Sequence, residues 1–525
     1  MIPALTVPIG GTVIAAIPSA VLVGVDGTQV SVEVHVSNGL PGFTVVGLPD
    51  AAVRESRDRV RAALLSSGLQ WPLRRVTVNL APSGMRKGGA GLDLPIAVGV
   101  LVASGVLPPR SVEGMAFVGE LGLDGSLRGV PGAVVLAEAL RRHRLVVPEE
   151  SAHEASLVGE CDIRVAATLA GLVDRLSGRR PWGEVGTTPD GSFRAAPEPP
   201  GRPHAADLAD IRGQRLARRA LEVVAAGGHH LLLVGPPGSG KTMLARRLPG
   251  LLPGLDRPTA LEATRIHSVA GLPLPQGGLI EEPPFRAPHH GASSVAMIGG
   301  GTTWMRPGEI SLAHGGILFL DELGEFPAVV LDALRQPLED GQVRVSRARG
   351  STNFPARFIL VGAMNPCPCG EGGAPGACRC SRAAQERYAR RLSAPFLDRF
   401  DIAIRVDRPL AQELFGPPSA EGSATVAARV AGARERAAER GVRVNADMAG
   451  PRLADDAPLS RGAAAIVERQ IRSGTLSARG LHRVHRLSRT IADLDGAGEV
   501  IGETHVREAL LLRGQRRLLP GGGLR

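Results

Sequence analysis

Apolar and polar positions alternate with a period of two across residues 21–36 (VLVGVDGTQVSVEVHV), which predicts two short strands about a turn at Asp26-Gly27. Residues 50–66 change to helical spacing, 74–82 (RRVTVNLAP) return to a strand pattern, and 92–106 form a mostly apolar helical stretch. The alternation persists to about residue 178, as in an α/β or α+β domain. Residues 179–203 lose periodicity and gather Pro and Gly, a linker composition. A second α/β block occupies 206–408. Beyond it, four helical stretches near 424–440, 461–473, 478–494 and 503–513 predict a small helical domain, and the chain ends in a basic, frayed tail. The expected division is 1–178, a linker at 179–205, then 206–408 and 409–525, with no internal repeat.

The length of 525 residues agrees with several domains rather than one core. With 43% apolar and 21% charged residues, wholesale disorder and a fibrous repeat are excluded. Aromatics make up only 3%, which argues against stacking platforms for single-stranded bases. The net charge of +10 favours a polyanionic partner. Lys87 and Lys241 are the sole lysines, a bias expected of a GC-rich genome. The first 25 residues are uncharged, but no basic n-region precedes them: the first Lys or Arg is Arg54. Pro3, Pro8, Gly10, Gly11 and Pro18 also break any apolar helix there, so no leader or membrane anchor and a cytoplasmic location are expected.

The strongest chemical signal is HHLLLVGPPGSGKTMLARRL. An apolar strand at 231–234 runs into Gly235, Pro236, Pro237, Gly238, Ser239, Gly240, Lys241 and Thr242, and a helical pattern follows. This is the phosphate-loop pattern in its strand–loop–helix context. Glycines let backbone N–H groups close around phosphate oxygens, and the helix start adds partial positive charge. Lys241 suits the β- and γ-phosphates and Thr242 suits Mg²⁺, so ATP and Mg²⁺ are the expected ligands. The apolar run 317–320 predicts a buried parallel strand ending in Asp321 and Glu322. The first carboxylate suits the Mg²⁺ shell and the second suits polarising the attacking water. A third strand pattern, 356–365, ends in Asn365, whose amide suits orienting that water. Arg399 is flanked by Phe396, Leu397 and Phe400; on spacing alone it reads equally as a projecting guanidinium or as surface charge.

Together with FRAPHHGAS (285–293), GEISLAHGGILFLDEL (308–323), NPCPCG (365–370) and LPGFTVVGLPDAAVRESRDRVRAAL (40–64), these features resemble the YifB/ComM family of magnesium-chelatase-like AAA+ proteins. The resemblance runs from about residue 14 to 513. It implies an α/β chain with a ribosomal-S5/Lon-C-like first domain, a P-loop AAA+ parallel-sheet core and a C-terminal helical lid. Residue by residue, Lys241 and Thr242 match Walker A, Asp321 and Glu322 match Walker B, and Asn365 matches sensor 1. Arg399 becomes an arginine finger acting on a neighbouring subunit, which implies a homo-oligomeric ring, a hexamer. Arg479 matches sensor 2, with Arg483 as the alternative.

By the same resemblance the chain is an ATP-hydrolysing motor acting on DNA as a branch-migration helicase in transformation or recombination. Recombination or competence proteins would be its partners, and no membrane is involved. A magnesium-chelatase motor subunit is the alternative. The segment 341–358 reads as a β-hairpin carrying Arg344, Arg347 and Arg349 at or near its tip. In a ring such hairpins point into the central channel, where guanidiniums suit a phosphate backbone. Ordinary solvated charges are the plainer reading.

The first domain resembles the C-terminal domain of Lon-type proteases yet lacks their chemistry. Gly91 stands where the nucleophilic serine would be and Val134 where the lysine would be, so no Ser–Lys pair is available. Arg86 and Lys87 beside a Gly-rich turn suit either phosphate or the domain surface, with the surface reading preferred. Cys367, Cys369, Cys378 and Cys380 form a CxC-x8-CxC cluster; four thiolates in one compact loop suit structural Zn²⁺. His289, His290 and His314 read as packing or nucleotide-coupled polar residues, and Cys161 as an isolated buried thiol.

Overall fold

Strict alternation of buried and exposed positions builds the first sheet. In β1 (Ile14–Val23) and β2 (Asp26–Ser37), Val30, Val32, Val34 and Val36 turn inward while Ser31, Glu33 and His35 line the other face. The structure is a computed structural model that describes residues 14–85, 87–159, 161–182, 206–275, 278–301, 305–347, 350–371, 378–415, 421–448 and 450–514. Arg86, Arg349, most of the expected linker and nearly all of the basic tail lie outside the described residues.

The β1–β2 turn falls at Gly24-Val25, two residues before the expected Asp26-Gly27, because Val23 pairs with Asp26. Gly24 has φ +67, so the glycine needed in a tight hairpin stands first in the turn. After β3 (Gly42–Val46), α1 (Ala51–Ser66) is started by Asp50, whose carboxylate accepts from the Val53 N–H at 2.9 Å. With β4 (Arg75–Ala81) the sheet order is β1-β2-β4-β3. The helix α2 (Asp93–Ala103) is buried on every side and packs on β1 and β2; it stops short of residue 106, where Gly105 takes φ +78. A second, parallel sheet holds β5 (Met115–Phe117), β6 (Arg144–Pro148) and β7 (Ile163–Ala166), interleaved with α3 (Ala133–Ala139), α4 (Glu149–Ser156) and α5 (Leu169–Leu176).

The core opens with α6 (Arg215–Gly227), closed by Gly228 at φ +70, and β8 (Leu231–Val234). It continues through α7 (Lys241–Ala245), α8 (Arg257–Ala270), β9 (Phe285–Arg286), β10 (Ile317–Leu320), the hairpin β11 (Gln342–Arg347) and β12 (Gly350–Pro355), β13 (Ile359–Met364), α9 (Arg382–Arg390) and β14 (Ile402–Arg405). Five strands make one all-parallel sheet in the order β9-β10-β13-β8-β14. β8, β10 and β13 are buried end to end, which explains their unbroken apolar runs. β8 lies between two strands that follow it much later in the chain, and the crevice beyond its C-terminal end is where open α/β sheets take ligands.

Among the described residues the four longer helices that follow are α10 (Ser423–Glu439), α11 (Arg461–Arg472), α12 (Ala478–Leu494) and α13 (Glu503–Gly514). Their apolar faces share one cluster with the sheet, since Val430, Leu487 and Ile491 pack with Leu231 and Ile404. The first domain also leans on the core. Val134 and Val135 of α3 meet Val269 of α8, Gly132 N–H donates to the Ser268 carbonyl at 3.0 Å, and Glu138 pairs with Arg265. Val25 packs against the cluster containing Val343, Val345 and Phe354, and a side chain at Gly24 would collide with Thr352. No helix among the described residues is long and apolar enough to cross a membrane.

Candidate active site

The phosphate loop leaves β8 at Gly235, whose N–H donates to the Met364 carbonyl of the adjacent strand at 3.1 Å. Gly238 (φ +75) and Gly240 (φ +91) take left-handed backbone that other residues resist, and this turns the loop back into α7. The first-turn N–H groups of α7 lack partners within the helix, so they face the loop's interior. Lys241 is buried, and its Nζ donates to the Gly235 carbonyl at 2.8 Å, the Pro236 carbonyl at 2.9 Å and Asn365 Oδ1 at 3.3 Å. Burial pushes its pKa down, partly offset by Asp321. Thr242 Oγ1 donates to Asp321 Oδ2 at 2.7 Å. Phosphate loop, carboxylate and strand-end amide therefore meet at one edge of the sheet. A loop whose only cation is spent on its own carbonyls, beside a hydroxyl–carboxylate pair, fits a triphosphate with Mg²⁺.

Two further residues brace this edge and carried no motif signal. Gln214, at φ +51, donates to the Asp407 carbonyl at 2.5 Å and the Ser239 carbonyl at 3.4 Å. Arg408 donates to the Pro237 carbonyl at 3.3 Å. Glu322 follows Asp321 in a left-handed conformation (φ +51), with its N–H on Asp321 Oδ1 at 2.9 Å. Its carboxylate is not free: His290 Nδ1 lies 3.0 Å from Oε2. The His290 ring in turn lies against His289 at a tilt of 35°, with centroids 4.0 Å apart, and meets the Phe326 ring edge-on.

Arg399 lies elsewhere. It precedes β14, and Asp401 and Ile402 donate to the His230 carbonyl at the start of β8, so the arginine sits at the opposite end of the strands from Gly235. A four-residue strand spans about 13 Å. Its guanidinium pairs with Glu339 and lines a cleft of about 1180 Å³ together with Asp401, Arg434, Arg443, Arg483 and Arg486. Within it Arg483 lies 3.7 Å from Asp401 and donates to the Phe400 carbonyl at 3.3 Å. Burial alone would raise the Asp401 pKa, but the His229 hydrogen bond and the nearby cations hold it well below the carboxylate range. Burial pushes His230 down to about 4. Arg479 is exposed at the start of α12 and has no hydrogen bond or ion pair among the described residues. Among the described residues neither Arg479 nor Arg483 bonds to the phosphate loop, and Arg483 shares the cleft of Arg399 instead.

In the hairpin β11–β12, Val343, Val345 and Phe354 face inward, while Arg344 is exposed with Nε on Ser351 Oγ at 3.1 Å. Arg347 is the last residue of β11, paired with Gly350, and Arg349 lies outside the described residues.

The four cysteines Cys367, Cys369, Cys378 and Cys380 bring their sulfurs within 4.8 Å of one another. Separations of 3.3, 3.6 and 3.8 Å among Cys367, Cys369 and Cys378 compare with an edge of about 3.8 Å for a tetrahedral zinc–thiolate site. The cluster touches the nucleotide edge. Gly370 (φ +82) lies so close to Pro237 that a Cβ there would be 2.6 Å from the proline ring, and Tyr388 Oη donates to the Asn365 carbonyl at 3.2 Å.

In the first domain Gly91 precedes α2 and Val134 lies on α3, so neither position supplies the hydroxyl or the amine of a Ser–Lys pair. Lys87 corrects the surface reading: it is fully buried, and its Nζ donates to the Gly47 and Pro82 carbonyls. Burial pushes its pKa down. Asp93 is likewise buried, held by Ser56 and by Arg59 Nε at 2.6 Å. Both groups spend their polar atoms on the fold.

The model described as magnesium chelatase, subunit ChlI, matches residues 207–414. A model for subunit ChlI of Mg-chelatase matches 32–151, and one for the ChlI C-terminal region matches 420–513. The competence protein ComM of Haemophilus influenzae is 43% identical over 509 residues, covering 96% of this chain and 98% of that protein. An uncharacterized protein, YifB of Escherichia coli, is 43% identical over 508 residues, covering 94% and 96%. Lon protease 2 of Bacillus subtilis is similar over 30% of this chain at 29% identity, covering 32% of its own length.

Proposed function

The chain belongs to the YifB/ComM family of magnesium-chelatase-like AAA+ proteins, ATPase-type enzymes, and on that premise we propose that it works as a ring, a hexamer, that spends ATP to move DNA strands. The observation that carries the reading is the split site. Lys241, Thr242, Asp321 and Asn365 gather at one edge of the sheet, while Arg399 and Arg483 share a cleft at the opposite end of the strands. A guanidinium that cannot reach its own phosphate loop is available to a neighbour's.

In this reading Lys241 and the loop N–H groups hold the β- and γ-phosphates, and Thr242 with Asp321 holds Mg²⁺, which neutralises charge on the phosphates. Glu322 accepts a proton from water as the water oxygen bonds the terminal phosphorus. The bond to the bridging oxygen breaks, and its electron pair leaves with ADP. Asn365 orients the water, and Arg399 of the adjacent subunit stabilises the transferring group. Arg344, Arg347 and Arg349 would then bear on a phosphate backbone in the channel. Similarity to a competence protein supports placing the activity in transformation, as branch migration of strand-exchange intermediates.

Purified protein should hydrolyse ATP several-fold faster with forked or three-stranded DNA than without it, and should displace the third strand. An ATPase indifferent to every DNA would remove the DNA reading and leave the chelatase-type motor.

We assign the cysteine cluster as a structural Zn²⁺ site, since the spacing of its sulfurs suits a tetrahedral ion. One zinc per chain is expected on titration with a mercurial thiol reagent and a zinc dye. Cys369→Ser with Cys378→Ser should lose the metal and raise the KM for ATP several-fold through the Gly370–Pro237 contact. Zinc-free protein with an unaltered KM would separate the cluster from the phosphate loop.

A further inference from the structure

We propose that the β1–β2 turn, Gly24-Val25, is a positioning element for the hairpin β11–β12 and gives the first domain a part in DNA handling. The inference rests on reading the hairpin as a DNA contact. The hairpin needs outside support, because it is a two-stranded sheet of its own, a form that is marginal in water. Its foot belongs to the core. Ala356 N–H donates to the Gly341 carbonyl at 2.9 Å, Arg357 N–H to His314 Nδ1 at 3.1 Å and Gly315 N–H to the Arg357 carbonyl at 2.7 Å. Register then divides the hairpin into two faces. Val345 stands opposite Thr352 and Val343 opposite Phe354, all four buried, while Arg344, Ser346, Ser351 and Asn353 are exposed on the other face. The turn of the first domain meets the buried face: Val25 joins the apolar cluster of Val343, Val345 and Phe354, and Gly24 lies against Thr352.

The turn is itself held from behind. Gly27, the second residue of β2, passes so close to α3 that a Cβ there would stand 2.5 Å from the Val135 carbonyl oxygen, and Gln29 Nε2 donates to the Ala139 carbonyl. α3 in turn sits on α8, where Val134 and Val135 meet Val269, Gly132 N–H donates to the Ser268 carbonyl and Glu138 pairs with Arg265. The first domain thus touches both α8 and the hairpin, and a short packed path through α3 joins the two contacts. Close-packed interiors transmit strain rather than absorb it. Thr352 lies nearer the hairpin's tip than Phe354, so a shift there swings the arginine face further than the same shift at the foot. Gly24 fits its place on two counts. Its φ of +67 favours glycine, and a Cβ there would collide with Thr352 Cγ2, whereas the next atom of Thr352, its Cβ, stands 3.3 Å away.

The test is ATP hydrolysis by the full-length protein with and without forked DNA, with DNA affinity read alongside by fluorescence anisotropy. Gly24→Ala should raise the Kd for forked DNA about tenfold, the worth of one charge-assisted bond, and flatten the DNA stimulation, while DNA-free kcat and KM stay within about twofold. Thr352→Ala removes the methyl group that the new Cβ would strike, so Gly24→Ala combined with Thr352→Ala should regain most of the affinity and the stimulation. The strain of alanine at φ +67 is the same in both proteins, so the recovery reads the contact alone. A wild-type DNA response in Gly24→Ala would overturn the proposal. So would a loss that Thr352→Ala fails to restore, or an equal loss of DNA-free turnover. Arg344→Ala, assayed in parallel, separates the two readings. If it leaves the DNA response intact, the hairpin reading fails and the proposal with it; if it weakens the response while Gly24→Ala does not, only the positioning role fails.

Discussion

Lys241→Ala is expected to abolish measurable ATP binding while leaving the protein folded. The ammonium reaches two loop carbonyls at 2.8 and 2.9 Å and Asn365 Oδ1 at 3.3 Å, and it is the only lysine of the core. In the ligated state those donors would turn to phosphate oxygens, where each charge-assisted bond is worth about 1.5–3 kcal/mol. Losing two of them weakens binding by about 3–6 kcal/mol, or roughly two to four orders of magnitude. Titration with a fluorescent ATP analogue reads this directly, and an unchanged melting profile excludes collapse. Binding within threefold of wild type would mean that Lys241 is a structural clip for the loop, as its contacts to Gly235 and Pro236 alone would suggest.

Arg399→Ala should produce the opposite pattern, with analogue binding intact and turnover down about a thousandfold, the range known for arginine fingers. The side chain is largely buried, pairs with Glu339, and leaves its Nε without a hydrogen-bond partner. A guanidinium so placed is ready for another anion but too far from its own phosphate loop to meet it. Mixing supplies the decisive measurement. Arg399→Ala and Lys241→Ala subunits are each inactive alone, yet some interfaces in mixed rings pair an intact loop with an intact finger. Partial recovery of ATPase on mixing is expected. Normal turnover by Arg399→Ala alone would end the shared-site reading.

Much of the phosphate-binding edge is legible in the sequence because its residues follow rules that act at short range. The run 231–234 is unbroken because β8 is buried on both faces, and glycines 238 and 240 are required by backbone sign. The four lid helices announce themselves by apolar stripes that the sheet then covers. What escapes is set by pairing between distant segments. The first turn lies two residues early, at Gly24-Val25, because Val23 pairs with Asp26 and Gly24 takes the left-handed backbone that a tight turn needs. Lys87 looks exposed in a Gly-rich stretch, yet the chain folds its amine under two carbonyls. His290 is marked in the sequence only as a packing or nucleotide-coupled polar residue. Its neighbour Glu322 stands past the end of a strand far along the chain, and only the fold brings the two together.

The tip of the first hairpin has a practical bearing on how the molecule can be dissected. Val25 packs on the cluster that includes Val343, Val345 and Phe354, Gly24 nests on Thr352, and α3 covers Val269 of α8. An excised ATPase fragment beginning near residue 206 would thus present bare apolar side chains at the root of the very loop thought to grip DNA, and it would be prone to self-association. The amino-terminal domain serves as a buttress as well as a cover, and work on truncated forms would be measuring an arm whose shoulder had been removed.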